Sequence, residues 1–169
     1  MPYIYPIEVR ESVLEGKGLF ARVDIPKGTV YWICCSNDPT LTNPPGVPEN
    51  RSFTLEELEA IGDPAAIRDI LNGGMHYKFN DTWVAFFDGS QYINHSLTPN
   101  SQIIYPESQD YRELKAITLR DIKAGEEIVE DYSNYCSLNS KWLGAVMEKY
   151  NGPRLEFEAE LAKEHSVTV

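Results

Sequence analysis

Apolar positions in the first third of the chain fall at short, even spacings broken by glycine and proline. Ile7 and Val9 alternate with polar neighbours, Gly16-Lys17-Gly18 is a turn before Leu19-Phe20-Ala21, and Pro26-Lys27-Gly28 precedes the apolar run 29–35. A period of two with such punctuation predicts a meander of short strands. Residues 36–50 hold Pro39, Pro44, Pro45, Gly46 and Pro48, which fit neither a helix interior nor a central strand, so the pattern predicts a loop.

The period then changes. Thr54 and Glu57 form a capping-box pattern ahead of Leu55, Leu58 and Ile61 on one helical face. Asp63 caps a second helix with Pro64 at its first position and Ile67, Ile70 and Leu71 on its apolar side, stopped at Asn72-Gly73-Gly74. Strand signals return at 83–87, 102–105, 111–119 and 128–129, which makes the fold class mostly β with minor α. Trp142, Val146 and Tyr150, four apart, predict a helix over about 140–150 that Gly152-Pro153 stops. The tail 154–164 carries both signals: it consists of helix formers, yet Leu155, Phe157, Ala159 and Leu161 alternate with glutamates. Propensity tips it to helix.

The 169 residues suit one domain that buries roughly 70% of its unfolded surface. Fifteen Lys+Arg against 26 Asp+Glu give a net charge of -11, a field that repels phosphate backbones and attracts basic segments, so direct nucleic-acid binding is disfavoured. No stretch nears the ~20 apolar residues of a membrane span, and the N-terminus lacks the basic and apolar regions of a signal peptide. The expectation is an intracellular chain, cytoplasmic or nuclear, without a membrane partner. Three cysteines, Cys34, Cys35 and Cys136, suit reduced thiols rather than a disulfide framework.

Those cysteines with His76, His95 and His165 contain no CxxC or HxxxH pair that would set up a closed zinc site, so no metal is expected. Activity is therefore expected to survive exhaustive chelation, with no stoichiometric zinc by elemental analysis. A tightly bound metal that activity needs overturns this.

Singly, the polar residues say little. Gly16-x-Gly18 lacks the third glycine of a dinucleotide fingerprint, a lone histidine is most often structural, and Asn94-His95-Ser96 has no nucleophile elbow around its serine. Their order says more: Gly16-Lys17-Gly18-Leu19-Phe20-Ala21, then Asp24-Ile25-Pro26-Lys27-Gly28, then Tyr92-Ile93-Asn94-His95-Ser96 running to Pro99-Asn100, then Gly125-Glu126-Glu127-Ile128 running to Asp131-Tyr132.

This series resembles the SET-domain protein lysine methyltransferases, over about residues 7–135, and without zinc-binding flanks it is most similar to the small bacterial and viral members. The resemblance implies a SET fold of short β-sheets with a helical insert at about 53–74 and a pseudoknot-like C-terminal threading. The domain would span 1–135, with 136–169 a helical flank closing the cofactor and substrate site. It implies methyl transfer from S-adenosyl-L-methionine to a lysine in a basic protein segment, histone or histone-like by family habit, or in another protein. A catalytically silent fold that binds peptides or acts as a scaffold is the alternative.

Residue by residue, the resemblance puts Gly16, Lys17 and Gly18 at the cofactor's amino-acid end, held there with the Asn94 side chain. It has the His95 main chain read adenine, and the Tyr132 hydroxyl serve as the catalytic group at the inner end of a lysine channel. Tyr92 joins the cofactor-binding set, and Trp142 is the candidate aromatic lid. The chemistry suits these residue types, because a sulfonium methyl is already electrophilic and the enzyme must mainly align a neutral amine and exclude water. Many members carry Phe or Tyr two residues before the catalytic tyrosine; Glu130 stands here. An unpaired buried carboxylate is costly and no partner lies nearby in sequence, so Glu130 is expected to turn outward.

Overall fold

Strands form where the alternation and the turns predict them, and their pairing draws distant segments of the sequence together. The computed structural model describes residues 3–35, 41, 43, 45–134, 146, 149 and 150. The elements begin with β1 (Ile7–Glu11), β2 (Lys17–Ala21), β3 (Val30–Ile33), β4 (Arg51–Phe53), α1 (Leu55–Glu59) and α2 (Pro64–Asn72). Then follow β5 (Gly74–Tyr77), β6 (Thr82–Ala85), β7 (Asn94–His95), β8 (Ser101–Ile104), β9 (Lys115–Thr118) and β10 (Glu127–Glu130). The chain divides into two units, Met1–Arg51 with Phe86–Tyr132, and Ser52–Ala85 with Ser133–Val169.

The first unit is built on a sheet in the order β1-β2-β10-β8-β9-β3, with β7 also paired to β10. The last of the described strands is thus central. On one side β10 runs antiparallel to β2, with Ile128 opposite Leu19; on the other it runs parallel to β7 and β8, with Glu130 opposite both His95 and Ser101. Leu19, Tyr31, Trp32, Leu114, Ile122 and Ile128 are buried here, whereas in β1 the alternating pair does not mark an inward face: Ile7 is half-buried and Val9 exposed, because β1 is the outer strand of the sheet. Asn100, 1% exposed, splices β8 to β10: its Nδ2 donates to the Glu127 carbonyl at 2.7 Å and its Oδ1 accepts from the Val129 N–H at 2.9 Å.

The second unit holds the two helices and a sheet in the order β4-β6-β5. Thr54 and Glu57 close the capping box at the start of α1, and Asp63 caps α2 with Pro64 in its first turn. Leu58, Ile67 and Leu71 are the helix positions that become buried. Ile61, expected on the α1 face, lies past the helix end and is exposed.

Three strands were not legible in the sequence. β4 follows the proline-rich segment, β7 has two residues and shows no period, and β5 starts at a glycine that reads as a helix stop. Gly74 belongs to β5 because a Cβ there would meet the Val84 carbonyl oxygen at 2.3 Å, a close approach only glycine permits. The strand expected over 111–119 is shorter, since Asp110 accepts from the Arg112 N–H and turns Tyr111–Glu113 into a single 3-10 turn before β9. Most of the expected 140–150 helix, the 154–164 tail, Cys136 and Trp142 lie outside the described residues; positions 146, 149 and 150 are helical. No helix among the described residues is long and apolar enough to cross a membrane.

Candidate functional site

Two clusters of the expected residues meet at the dipeptide Ile93-Asn94. The first lies at the turn into β2. Gly16 adopts φ +45, a left-handed conformation that glycine takes without strain, and the Gly16 carbonyl accepts the Ser12 N–H at 2.8 Å to close the turn. Asn94, on β7, reaches this turn. Its Nδ2 lies within 2.7 Å of Glu127 Oε1, 3.1 Å of the Lys17 carbonyl and 3.2 Å of the Glu15 carbonyl. Lys17 Nζ is 5.6 Å from the centroid of the Tyr92 ring, which brings Gly16, Lys17, Gly18, Tyr92 and Asn94 to one place.

Glu127 is the residue that sequence reasoning passed over. Its carboxylate accepts from Asn94 and, at 2.8 Å on both oxygens, from the Ser12 hydroxyl. A Cβ on Gly18 would come within 2.2 Å of Glu127 Oε1, so the missing side chain at Gly18 is the space this carboxylate occupies. The signal was present in outline: neighbouring side chains on a strand point to opposite faces, so the fully buried Ile128 turns Glu127 the other way.

The second cluster closes on Tyr132. The Tyr132 N–H donates to His95 Nδ1 at 3.2 Å, the two rings lie 5.4 Å apart, and the Tyr132 hydroxyl donates to the Ile93 carbonyl in a short hydrogen bond. An accepting Nδ1 puts the proton of the neutral ring on Nε2, and Asp131 Oδ1 stands 4.0 Å from Nδ1. The His95 side chain therefore fixes the backbone at Tyr132, while the His95 main chain is in register with Glu130 in the parallel β7–β10 pair.

Glu130 departs from expectation. It is 2% exposed, turned into the first unit rather than outward, where Ser101 Oγ donates to its Oε1 at 2.7 Å and the Tyr31 hydroxyl lies 3.5 Å from the same oxygen. Tyr31 and Ser101 also hydrogen-bond each other at 2.7 Å. These partners lie 29 and 99 residues away in sequence, which is why proximity along the chain did not reveal them. The carboxylate in turn holds the Tyr31 phenol well above its usual pKa, second to the effect of burial. Glu130→Ala is expected to lower the free energy of unfolding by about 2–3 kcal/mol, the loss of a charge-assisted hydrogen bond inside the core. Glu130→Gln, which keeps an acceptor for Ser101, should lose less. Urea midpoints measure both, and an unchanged midpoint for Glu130→Ala would take the carboxylate out of this network.

The family model described as the SET domain matches residues 16–133, more than half of the chain. The chain belongs to the SET domain family. Comparison with curated protein sequences gives no match. Among solved structures, the SET domain is similar to an apo form of the Chaetomium thermophilum Polycomb Repressive Complex 2 with substitutions in its Ezh2 subunit, at 22% identity and a TM-score of 0.55. That likeness covers 78% of this chain and only 15% of the other. A Plasmodium falciparum protein titled as a candidate histone methyltransferase is similar at 20% identity and a TM-score of 0.51, over 82% of this chain and 97% of that one. A humanized mutant of the Chaetomium complex with a bound inhibitor is similar at 24% identity and a TM-score of 0.51, over 79% and 15% of the two chains. At these identities the likeness bears on the fold alone.

Proposed function

We propose that this SET domain is an S-adenosyl-L-methionine-dependent protein-lysine N-methyltransferase that acts on a lysine in a basic segment of a protein, histone or histone-like proteins included. The observation that carries the reading is the join at Ile93-Asn94: the hydroxyl of Tyr132 is bonded to one residue of this pair, and the Gly16–Gly18 turn to the next. The donor set fits the cofactor's charged amino-acid end. Carbonyls of Glu15 and Lys17 converge with the Asn94 amide and the Glu127 carboxylate, and the space where a Cβ would stand at Gly16 is open. Gly16, Lys17, Gly18, Asn94 and Tyr92 would hold that end, and His95 the adenine through its main chain; Trp142, the lid the resemblance implies, lies outside the described residues.

When bound, S-adenosylmethionine supplies an electrophilic sulfonium methyl. The work of the protein is to present a neutral amine in line with it. The proton of the Tyr132 hydroxyl is committed to the Ile93 carbonyl, so the phenol oxygen offers lone pairs rather than a donor. It accepts an N–H of the lysine amine and leaves the nitrogen lone pair for attack. Desolvation in a narrow channel lowers the lysine pKa from ~10.4 and favours the neutral amine. The net charge of -11 draws a basic segment toward the protein.

A lysine-peptide array with radiolabelled S-adenosylmethionine tests the activity, with calorimetry for cofactor binding alone. Label on lysine supports the reading. Binding of cofactor without label on any peptide, or no binding, overturns it in favour of a silent peptide-binding fold.

A further inference from the structure

Cys34 and Cys35 follow β3 directly, and the proposed reaction uses neither. Their sulfurs lie 3.7 Å apart and share a hydrogen bond. Cys34 is buried and Cys35 half-buried, so Cys35 is the more accessible of the pair, its sulfur also lying 3.8 Å from the Asn50 carbonyl. Backbone bonds pin both residues to the segment before β9: the Cys34 N–H donates to the Leu114 carbonyl at 2.9 Å and the Cys35 N–H to the Arg112 carbonyl at 3.1 Å. Asn50 fixes Cys34 further. Its Nδ2 lies 2.9 Å from the Cys34 carbonyl, 3.7 Å from the Cys34 sulfur and 2.7 Å from the buried Asp88 carboxylate, while its Oδ1 accepts the Phe87 N–H at 2.9 Å.

The electrostatics separate the two thiols. A proton shared with Cys34 holds Cys35 below the ordinary thiol value, and the Arg112 charge assists; burial, Glu49 and Asp88 oppose. The same shared proton, then burial, pushes Cys34 far up. The proton therefore leaves Cys35, the more accessible of the two, before Cys34, and the thiolate is the nucleophile.

We propose that Cys34-Cys35 is a peroxide-responsive modification site, in which Cys35 is oxidised first and Cys34 resolves it to a reversible vicinal disulfide. The Cys35 thiolate attacks one oxygen of hydrogen peroxide and the O–O bond breaks. The sulfur becomes a sulfenic acid and the departing hydroxide takes a proton to form water. The Cys34 sulfur then displaces the sulfenic oxygen, which leaves with the Cys34 proton as a second water. Two thiols have lost two electrons and two protons, and one peroxide has become two waters. Adjacent Cα atoms sit ~3.8 Å apart, short of the ~4.4–6.8 Å at which disulfides are relaxed, so the ring is strained. Strained disulfides are the readily reduced kind, which suits a switch rather than a brace.

Peptide mapping of the full chain after stoichiometric hydrogen peroxide tests this without any methyl-transfer assay. Trypsin separates the pair, in the peptide 28–51, from Cys136, in the peptide 124–141. The expected product is peptide 28–51 two hydrogens lighter and restored by dithiothreitol. Cys34→Ser should stop at a sulfenic acid that dimedone traps at Cys35, and Cys35→Ser should slow consumption of peroxide by about tenfold at neutral pH. A main product in which peptides 28–51 and 124–141 are cross-linked overturns the proposal. So does irreversible sulfonic acid on the wild-type pair, or no change in the peptide 28–51.

Discussion

Tyr132→Phe is expected to lower methyl-transfer turnover by about a hundredfold or more while cofactor affinity and the unfolding midpoint stay near those of the wild type. The substitution removes one oxygen. The ring stays half-buried against His95, and the backbone N–H still donates to His95 Nδ1, so the local path of the chain is held by groups the change leaves alone. What goes is the hydroxyl's bond to the Ile93 carbonyl and, with it, the acceptor that orients the incoming amine, the second being an interaction made only when substrate is in line. Single-turnover rates on a lysine peptide that the wild type methylates, with calorimetry of the cofactor, separate the two effects. Turnover within a few-fold of wild type removes Tyr132 from the catalytic role, and an equal loss of cofactor affinity makes it a binding residue instead.

Asn94→Ala is expected to weaken S-adenosylmethionine binding by roughly 5- to 150-fold, the ~1–3 kcal/mol attached to a hydrogen bond with a charged partner. One amide group ties the turn of residues 15–17 to β10 through two carbonyls and the Glu127 carboxylate, so truncation frees the turn and strands Glu127 together. Gly18→Ala should act in the same direction with Asn94 intact, because the new methyl group displaces Glu127 from its bonds to Asn94 and Ser12. Cofactor titration of both variants checks this. Unchanged affinity in Asn94→Ala would show that the turn holds the cofactor without this amide.

The helices α1 and α2 were legible because capping is local: Thr54 with Glu57 and Asp63 with Pro64 act within three residues. The strands around β1, β2, β8 and β10 were legible because short apolar runs stand between glycine and proline turn signals; their burial itself does not alternate, β2 and β10 being buried on successive residues. β5 was hidden because its first residue, Gly74, serves packing against Val84 rather than conformation, and sequence shows only that glycine is there. The site shows the same divide. Asn94, His95 and Tyr132 stood out through motif order, whereas Glu127 and Glu130 depend on Ser12, Tyr31 and Ser101, which reach them only through the sheet.

The central position of β10 also fixes when the protein can begin to work. Ser12 and Glu127 are 115 residues apart, yet they meet at the same turn, and β2 has no partner on its inner edge until β10 arrives. A growing chain on the ribosome thus carries two half-sheets with open, hydrogen-bond-hungry edges until about residue 130 has emerged. Such non-local closure is slow, and it leaves the nascent chain open to pairing with a second copy of itself. Production in cells should therefore depend more on chaperone capacity and on synthesis rate than the modest size suggests, and a chain halted before Glu127 should accumulate as aggregate rather than as a shortened, stable domain.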